Sequence, residues 1–208
     1  MKTLAAKDIY ASPGLRRAIG ELIRRIDAGL PELDEPVKMV IAGGIAVNFY
    51  CGERVTLDVD ASFSRRILLP ADLVVPYQTT DGKTLSVHLD LNYNTSFAIL
   101  HEDFEDDAVH VEDEEFSGRN IRAFLLSPVD LVVSKIARFE GPDRGDISAL
   151  ARERLVTPAA VVQRANEALS YFVGNVDRVR FNLKEALHLI EQAQLDSMPA
   201  ARRRNDRI

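Results

Sequence analysis

Residues 42–60 read AGGIAVNFYCGERVTLDVD, and this stretch decides how the rest of the chain is interpreted. It begins where a short apolar run, 37–42, meets the pair Gly43-Gly44, and the residues up to Tyr50 have the character of a short helix. Glycine lets the backbone come close to a phosphate, and the first N–H groups of a helix attract anions. We therefore expect Gly43 and Gly44 to bind phosphate groups, although the pair taken alone would more simply mark a turn.

Two aspartates, Asp58 and Asp60, close the same stretch inside a segment, 55–62, that alternates between apolar and polar residues. Such alternation predicts a β-strand, on which residues two apart point to the same face. Aspartate is a poor strand former, so two of them at mid-strand call for a reason. Carboxylate oxygens are the ligands that Mg²⁺ prefers, and we expect both side chains to bind this metal. The alternative is a solvated strand face.

A third carboxylate, Asp90, lies on the polar face of another alternating segment, 85–93, together with His88. A carboxylate on a neighbouring strand would complete a two-metal site, in which two magnesium ions clamp an in-line displacement at phosphorus. We expect Asp90 to act as a metal ligand or as the general base. A solvated strand position is the alternative.

The first part of the chain also contains a helix and further strands. Ser12-Pro13 supplies the cap and the first residue of a helix, which Gly29 and the following proline end. Additional strands are expected at residues 97–100 and 119–125.

The last third of the chain has helical periodicity. Helices are predicted over residues 129–139, 147–154, 158–171 and 176–194. Strands first and helices last predict an α+β fold. We expect a core at residues 1–126 and a helical C-terminal region at 127–208 that packs on it.

The glycine and aspartate motifs together resemble the nucleotidyltransferase superfamily, which includes DNA polymerase β. Its signature is a hydrophobic residue, Gly, Gly or Ser, a spacer, and then Asp, a hydrophobic residue, and Asp or Glu. This chain has Ala42-Gly43-Gly44, thirteen residues, and then Asp58-Val59-Asp60. It departs from the usual pattern by the small Ala61 after the pair and by glycine where many members have serine. The resemblance implies a mixed β-sheet flanked by helices and an NTP substrate.

A second likeness lies in the helical region. The pattern consists of Pro128-Val129-Asp130-Leu131, Lys135 and residues 143–147. It is similar to that of nucleotidyltransferase toxins of the abortive-infection type. The resemblance implies that Lys135 contacts the nucleotide phosphates and takes part in catalysis, and that Arg144 and Asp146 belong to the nucleotide site. The alternatives are a solvated helix position for Lys135, a helix N-cap for Asp146 and a surface position for Arg144.

Composition and charge limit the location and the partners. The net charge is −6 and the pI is about 5.3, so broad non-specific binding to nucleic acid is not expected, although a local basic patch remains compatible. Cys51 is the only cysteine, which excludes an internal disulfide and suits a reducing compartment. No segment approaches the roughly 20 apolar residues of a membrane helix. We expect a cytoplasmic protein without membrane contact.

The resemblance leads to a functional hypothesis. The chain would be a magnesium-dependent nucleotidyltransferase that moves a nucleoside monophosphate from an NTP to a hydroxyl, with a tRNA 3′ end as the leading acceptor. Proteins of this type are toxins paired with an antitoxin. The acidic segment 102–115 is expected to be a solvated loop or exposed hairpin, or alternatively the dock for a basic antitoxin. The rival hypotheses are transfer to a small molecule or protein, and a nucleotide-binding module without turnover.

Overall fold

The structure is a computed structural model that describes residues 2–54, 56–95 and 98–198. The chain divides into two compact units. The first unit consists of residues up to 95 together with 103–127, and the second of residues 96–102 together with those from 128 onward. No helix in the described ranges combines the length and the apolar character needed to cross a bilayer.

The first unit contains the strands and two helices. In chain order its elements are β1 (Thr3–Ala5), α1 (Pro13–Ala28), β2 (Val37–Ile41), α2 (Gly43–Cys51), β3 (Asp58–Val59), β4 (Ala61–Phe63), β5 (Val74–Gln78), β6 (Thr84–Leu89), β7 (Val109–Glu112) and β8 (Ile121–Leu125). Short 3₁₀ turns follow β1 and β7.

The strands of the first unit form two sheets. The larger sheet has the order β1-β7-β8-β2-β4, in which β2 runs parallel to β8 and antiparallel to β4. The smaller sheet has the order β3-β6-β5, in which β6 runs parallel to β3 and antiparallel to β5. These mixed sheets, together with the helices, agree with the predicted α+β class.

Helix α1 begins as the sequence predicts. The Ser12 hydroxyl accepts a hydrogen bond from the Leu15 N–H at 3.3 Å, and Pro13 occupies the first turn. Its apolar stripe, which includes Ile19 and Leu22, is fully buried, and the helix packs on β5 and β6. Each such side chain contributes roughly 1.5–3 kcal/mol by its burial.

The second unit consists of helices. They are α3 (Pro128–Ile136), α4 (Gly141–Arg152), α5 (Pro158–Leu169) and α6 (Val176–Asp196). The predicted start of α5 is confirmed, since the Thr157 hydroxyl accepts from the Ala160 N–H at 3.3 Å. At the start of α6, Asn175 caps the Arg178 N–H at 3.0 Å.

The predicted boundary between α3 and α4 is wrong. Gly141 was expected to end one helix, with the next beginning at Ile147, but α4 already begins at Gly141. The Asp143 carboxylate accepts a hydrogen bond from the Glu140 N–H at 3.1 Å and thereby caps the earlier start. Phe139, at φ 55°, makes the turn between the two helices.

The prediction of one continuous strand over residues 55–62 is also wrong. Val55 lies outside the described residues, and the remainder divides at Asp60 into β3 and β4, which belong to different sheets. The division follows from the partners: β3 pairs with β6, whereas β4 pairs with β2. Asp60 therefore sits at the junction between the two sheets.

Other strand predictions had mixed outcomes. The strand near 119–125 is confirmed as β8, whereas residues 98–100 form no strand and Phe97 lies outside the described residues. The acidic segment 102–115 is more ordered than expected. It contains β7, which lies between β1 and β8 in the larger sheet, with Val111 fully buried.

Candidate functional site

The glycine pair forms the turn between β2 and α2. Gly43 is the first residue of α2 and has φ +59°, a left-handed conformation that favours glycine. The preceding residue, Ala42, donates its N–H to the Asp60 carbonyl oxygen at 2.8 Å. The strand–glycine–helix arrangement predicted from the sequence is therefore present, and a backbone hydrogen bond ties it to the aspartate motif.

Gly43 and Asp60 are in close approach. A Cβ atom added at Gly43 would overlap the Asp60 carboxylate and lie 2.8 Å from its Cγ. At Gly44 an added Cβ would instead lie 2.8 Å from the Thr56 Cγ2 and 3.2 Å from the Arg54 Cζ. The first glycine thus provides the room that the Asp60 carboxylate occupies at the start of α2.

Asp58 is placed on the edge strand β3, directly across from His88 on β6. The His88 Nε2 lies 2.7 Å from the Asp58 Oδ1, and the two side chains are 48% and 61% exposed. Asp58 is therefore accessible to a ligand from solvent. Sequence reasoning placed His88 on the same face as Asp90, but the structure pairs it with Asp58.

Asp90 lies just beyond the end of β6, not within a strand as predicted. Its N–H donates to the Val59 carbonyl oxygen at 3.0 Å, and its Oδ1 accepts from the Asn92 N–H at 2.8 Å. The latter bond is an Asx turn, which ends the strand, and Leu91 is consequently 63% exposed. Asp90 is thus anchored to the residue between Asp58 and Asp60.

Tyr93 is an unpredicted neighbour of the aspartates. Burial raises the pKa of its phenol well above the usual value, and the nearby Asp60 carboxylate raises this pKa further. The hydroxyl is therefore neutral at pH 7 and close to Asp60. The alternating pattern had placed Tyr93 on the apolar face of a strand, because the turn at Asp90 was not recognised.

The aspartates are the candidate ligands for a hard metal ion. Across the described ranges, no group of three or more His, Cys, Asp or Glu side chains has the arrangement of a metal site. Magnesium, however, is usually bound through one or two carboxylates, with substrate phosphates and water completing the shell. The half-buried Asp60 beside Gly43 and the exposed Asp58 two residues earlier match this number of carboxylates.

The remaining predicted site residues lie in the second unit, where they contact other residues of that unit. Lys135 on α3 is 7% exposed, and its Nζ lies 2.6 Å from the Asp146 Oδ2 and 3.8 Å from the Asp143 Oδ1. Lys135 is therefore not the solvated helix residue that was one alternative. Asp146 lies within α4, so its alternative as an N-cap is wrong.

Two exposed arginines flank this buried cluster: Arg138 binds to it, whereas Arg144 contacts Phe139 and occupies the surface position that was its alternative. Arg138 binds Asp143 through two hydrogen bonds of 2.9 Å, and the Arg144 guanidinium stacks on the Phe139 ring at 4.4 Å. Burial alone would raise the pKa of Asp143, but the hydrogen bonds from Arg138 and from the Glu140 N–H, with the charge of Lys135, hold this pKa below its usual value.

A further ion pair in the second unit was not predicted. Asp130 on α3 is completely buried, and its two carboxylate oxygens accept hydrogen bonds of 2.7 and 2.9 Å from Arg164 on α5. The motif around Asp130 was noted only as part of the family resemblance. Its partner, Arg164, lies 34 residues away, so no local sequence pattern indicates the pair.

Comparison with known families places the chain among nucleotidyltransferases. Residues 18–191 match the model of a family described as "Nucleotidyltransferase of unknown function (DUF6036)". The chain belongs to this family. No curated protein and no solved structure matches the chain. The match covers the glycine turn and the aspartates, and it supports the predicted superfamily. The likeness to abortive-infection toxins is left untested by the DUF6036 description.

Proposed function

We propose that the protein transfers a nucleoside monophosphate from an NTP to a hydroxyl group, with release of pyrophosphate and dependence on Mg²⁺. The observation that carries the proposal is the close approach of Gly43, at the first turn of α2, to the Asp60 carboxylate. This approach places the glycine turn, to which we assign the phosphates, beside Asp60, to which we assign the metal. Membership of a nucleotidyltransferase family supports the same reaction.

The residues of the first unit have separate tasks in this proposal. The N–H groups at Gly43 and Gly44 bind the phosphates of the NTP, since the start of a helix carries partial positive charge. Asp58 and Asp60 hold magnesium, which when bound neutralises the charge of the triphosphate. Asp90 is assigned as the base, because the described residues contain no group of three carboxylates arranged to hold a metal.

The reaction balances with these groups alone. The acceptor oxygen forms a bond to the α-phosphorus, and the bond from that phosphorus to the bridging oxygen of the β-phosphate breaks. Pyrophosphate leaves with the bonding electron pair. The proton of the acceptor hydroxyl passes to the Asp90 carboxylate, whose Oδ1 is oriented by the Asn92 N–H.

The acceptor and the biological role follow from resemblance. A tRNA 3′ end is the leading acceptor, and a toxin role with a cognate antitoxin is part of the same proposal. Phosphate contact by Lys135, with Arg144 and Asp146 beside it, remains a prediction. It requires Lys135 to exchange part of its contact with Asp146 for the nucleotide. The net charge of −6 favours a small or protein acceptor as the second candidate.

The proposal is tested by labelled transfer. Purified protein is incubated with Mg²⁺ and each of the four NTPs labelled at the α-phosphate, together with total tRNA or with a cell lysate separated afterwards into RNA, protein and small molecules. We expect label from one NTP in the tRNA fraction. Label confined to protein or small molecules would replace the tRNA assignment by the second candidate. No transfer and no pyrophosphate with any NTP would contradict the reaction itself.

A further inference from the structure

A cavity of about 660 Å³ lies within the first unit. One wall is β4 with the residues that follow it, up to Leu69, and the other wall is the segment 91–95 after the Asx turn. This volume is within the roughly 300–1,000 Å³ that small-molecule sites occupy. The roles assigned above to the glycines and aspartates leave this cavity without a ligand.

The position of the cavity connects it to the candidate site. Asp60 directly precedes Ala61, the first lining residue of one wall, and Asp90 directly precedes Leu91, the first lining residue of the other. The hydrogen bond from the Asp90 N–H to the Val59 carbonyl holds the two walls together at this end. Among the described residues, those that line the cavity do not include either glycine of the α2 turn. The cavity therefore adjoins Asp60 and Asp90 in sequence, but its lining includes neither these aspartates nor the predicted phosphate turn.

Two adjacent arginines line the cavity. Arg65 donates to the Glu35 carbonyl oxygen at 2.8 Å, which restrains its side chain. Arg66 is exposed and has no hydrogen bond or ion pair with any other residue that the structure describes. A guanidinium group offers paired donors that match the oxygens of a phosphate. Arg66 is thus available for an anionic group within the cavity.

The other lining residues suit an aromatic ring that carries hydrogen-bonding groups at its edges. Ser62 lines the cavity, but its hydroxyl is buried behind the surface and is not accessible to a ligand. Phe63 and Tyr93 supply aromatic surface, and Asn92 supplies an amide. Aromatic side chains bind bases by stacking without requiring a particular sequence.

We propose that this cavity binds one nucleoside monophosphate unit, with the phosphate at Arg66 and the base against Phe63, Tyr93 and the Asn92 amide. The choice of a nucleotide over other ring-bearing anions rests on the proposed function. The unit can come from two sources, the incoming NTP or the terminal nucleotide of a nucleic-acid acceptor. Both sources present the same chemistry to the cavity.

Binding in the absence of metal tests the proposal directly. The probes are AMP, GMP, CMP and UMP, which lack a triphosphate, measured by calorimetry in EDTA with the full chain. We expect at least one to bind. Arg66→Ala should weaken this binding by roughly tenfold to a hundredfold, as expected for the loss of a charge-assisted hydrogen bond. Asn92→Ala should weaken it less, because it removes one neutral amide.

The controls separate this proposal from the transfer reaction. Arg122→Ala removes the same charge from an exposed position on β8 outside the cavity and should leave binding unchanged. Asp58→Asn/Asp60→Asn should also bind the nucleoside monophosphates, since these probes need no metal. The same double variant should abolish nucleotidyl transfer. Binding by that double variant would sustain the cavity assignment even if no transfer were found. Absence of binding to all four probes, or equal binding by Arg66→Ala and Arg122→Ala, would overturn the assignment.

Kinetics then identify the source of the bound unit. If the NTP supplies it, Arg66→Ala raises the KM for NTP and leaves the KM for the acceptor unchanged. If a nucleic-acid acceptor supplies it, the acceptor KM rises instead. Unchanged values of both constants would overturn the assignment, whatever the outcome of the transfer assay.

Discussion

The candidate carboxylates of the two units differ in their exposure to solvent and in their partners. In the first unit, Asp58 is 61% exposed and its neighbour is a histidine that is itself half-exposed. In the second unit, Asp143 and Asp146 are both 2% exposed and lie beside Lys135. Acidic residues at short spacing therefore have different environments in the two units, although the sequence alone presents them as similar motifs.

This difference distinguishes carboxylates that can bind a ligand from carboxylates that stabilise the fold by ion pairing. A buried carboxylate must have a partner, because the cost of an unpaired charge away from water is several kcal/mol. The cluster around Lys135 meets that need within its own unit. Asp58 is largely exposed and Asp60 is only partly buried, so neither carboxylate needs a buried cation for the chain to fold. In the proposed reaction both can therefore bind a metal ion. We therefore place the chemistry in the first unit.

The largest stability effect is expected for Lys135→Met. It leaves Asp146 buried without its cation, and removal of one member of a buried ion pair costs about 3–5 kcal/mol. The free energy of unfolding from urea titration measures the effect. Lys135→Met/Asp146→Leu removes both charges and should recover a substantial part of the loss. A single variant within about 1 kcal/mol of wild type would contradict the structural role.

The glycine pair provides a matched comparison in the first unit. Gly43→Ala puts a Cβ on the Asp60 carboxylate at a left-handed position, so it should cost about 1–3 kcal/mol and impair transfer by displacing Asp60. Gly44→Ala meets side-chain atoms of Thr56 and Arg54, which can move. It should cost less than about 1 kcal/mol. Thermal unfolding and transfer assays of both variants check this order, and equal effects would argue against the close approach at Gly43.

The acid dependence of stability tests the second unit. The folded-state pKa of Asp143 lies below its usual value of 3.8, so this group contributes stability that is complete above the unfolded-state pKa. The contribution is lost as pH falls below about 4 toward the folded-state pKa. The difference in unfolding free energy between wild type and Asp143→Asn should therefore be larger at neutral pH than at acidic pH. A difference that grows on acidification would contradict the paired state.

The smallest stability effect is expected for Asp58→Asn. The contact with His88 is exposed, and exposed ion pairs contribute about 0–1 kcal/mol. Urea titration should give an unfolding free energy within about 1 kcal/mol of wild type. A loss as large as that of Lys135→Met would mean that the two units do not differ in the way described.

Much of this arrangement was predictable where the signal is local. The Ser12 and Thr157 caps, the glycine turn before α2 and the strand at residues 121–125 follow from short-range rules. The division of residues 58–63 between two sheets was not predictable, because it depends on β2 and β6, which are distant in sequence.

The candidate site shows the same limit. Asp58, Asp60 and Asp90 were identified as residues, but their environments depend on side chains that the spacing does not reveal. The Asx turn has its sequence signal in Asp90 itself, whose side chain accepts from the N–H two residues on, but the alternating pattern favoured a strand there. The approach of Tyr93 to Asp60, the burial of Lys135 and the pairing of Asp130 with Arg164 all require the three-dimensional chain path.

The central claim is that Asp58 and Asp60 of the first unit perform the chemistry, and label transfer by Asp58→Asn/Asp60→Asn tests it most directly. The matched control is Asp8→Asn/Asp34→Asn, which removes two exposed charges from the same unit. With the acceptor fraction that wild type labels, we expect the site variant to lose at least about a thousandfold in rate, since a bound metal contributes several kcal/mol at the transition state. The control should keep the wild-type rate. Equal transfer by the site variant and the control, with both proteins folded, would contradict the account.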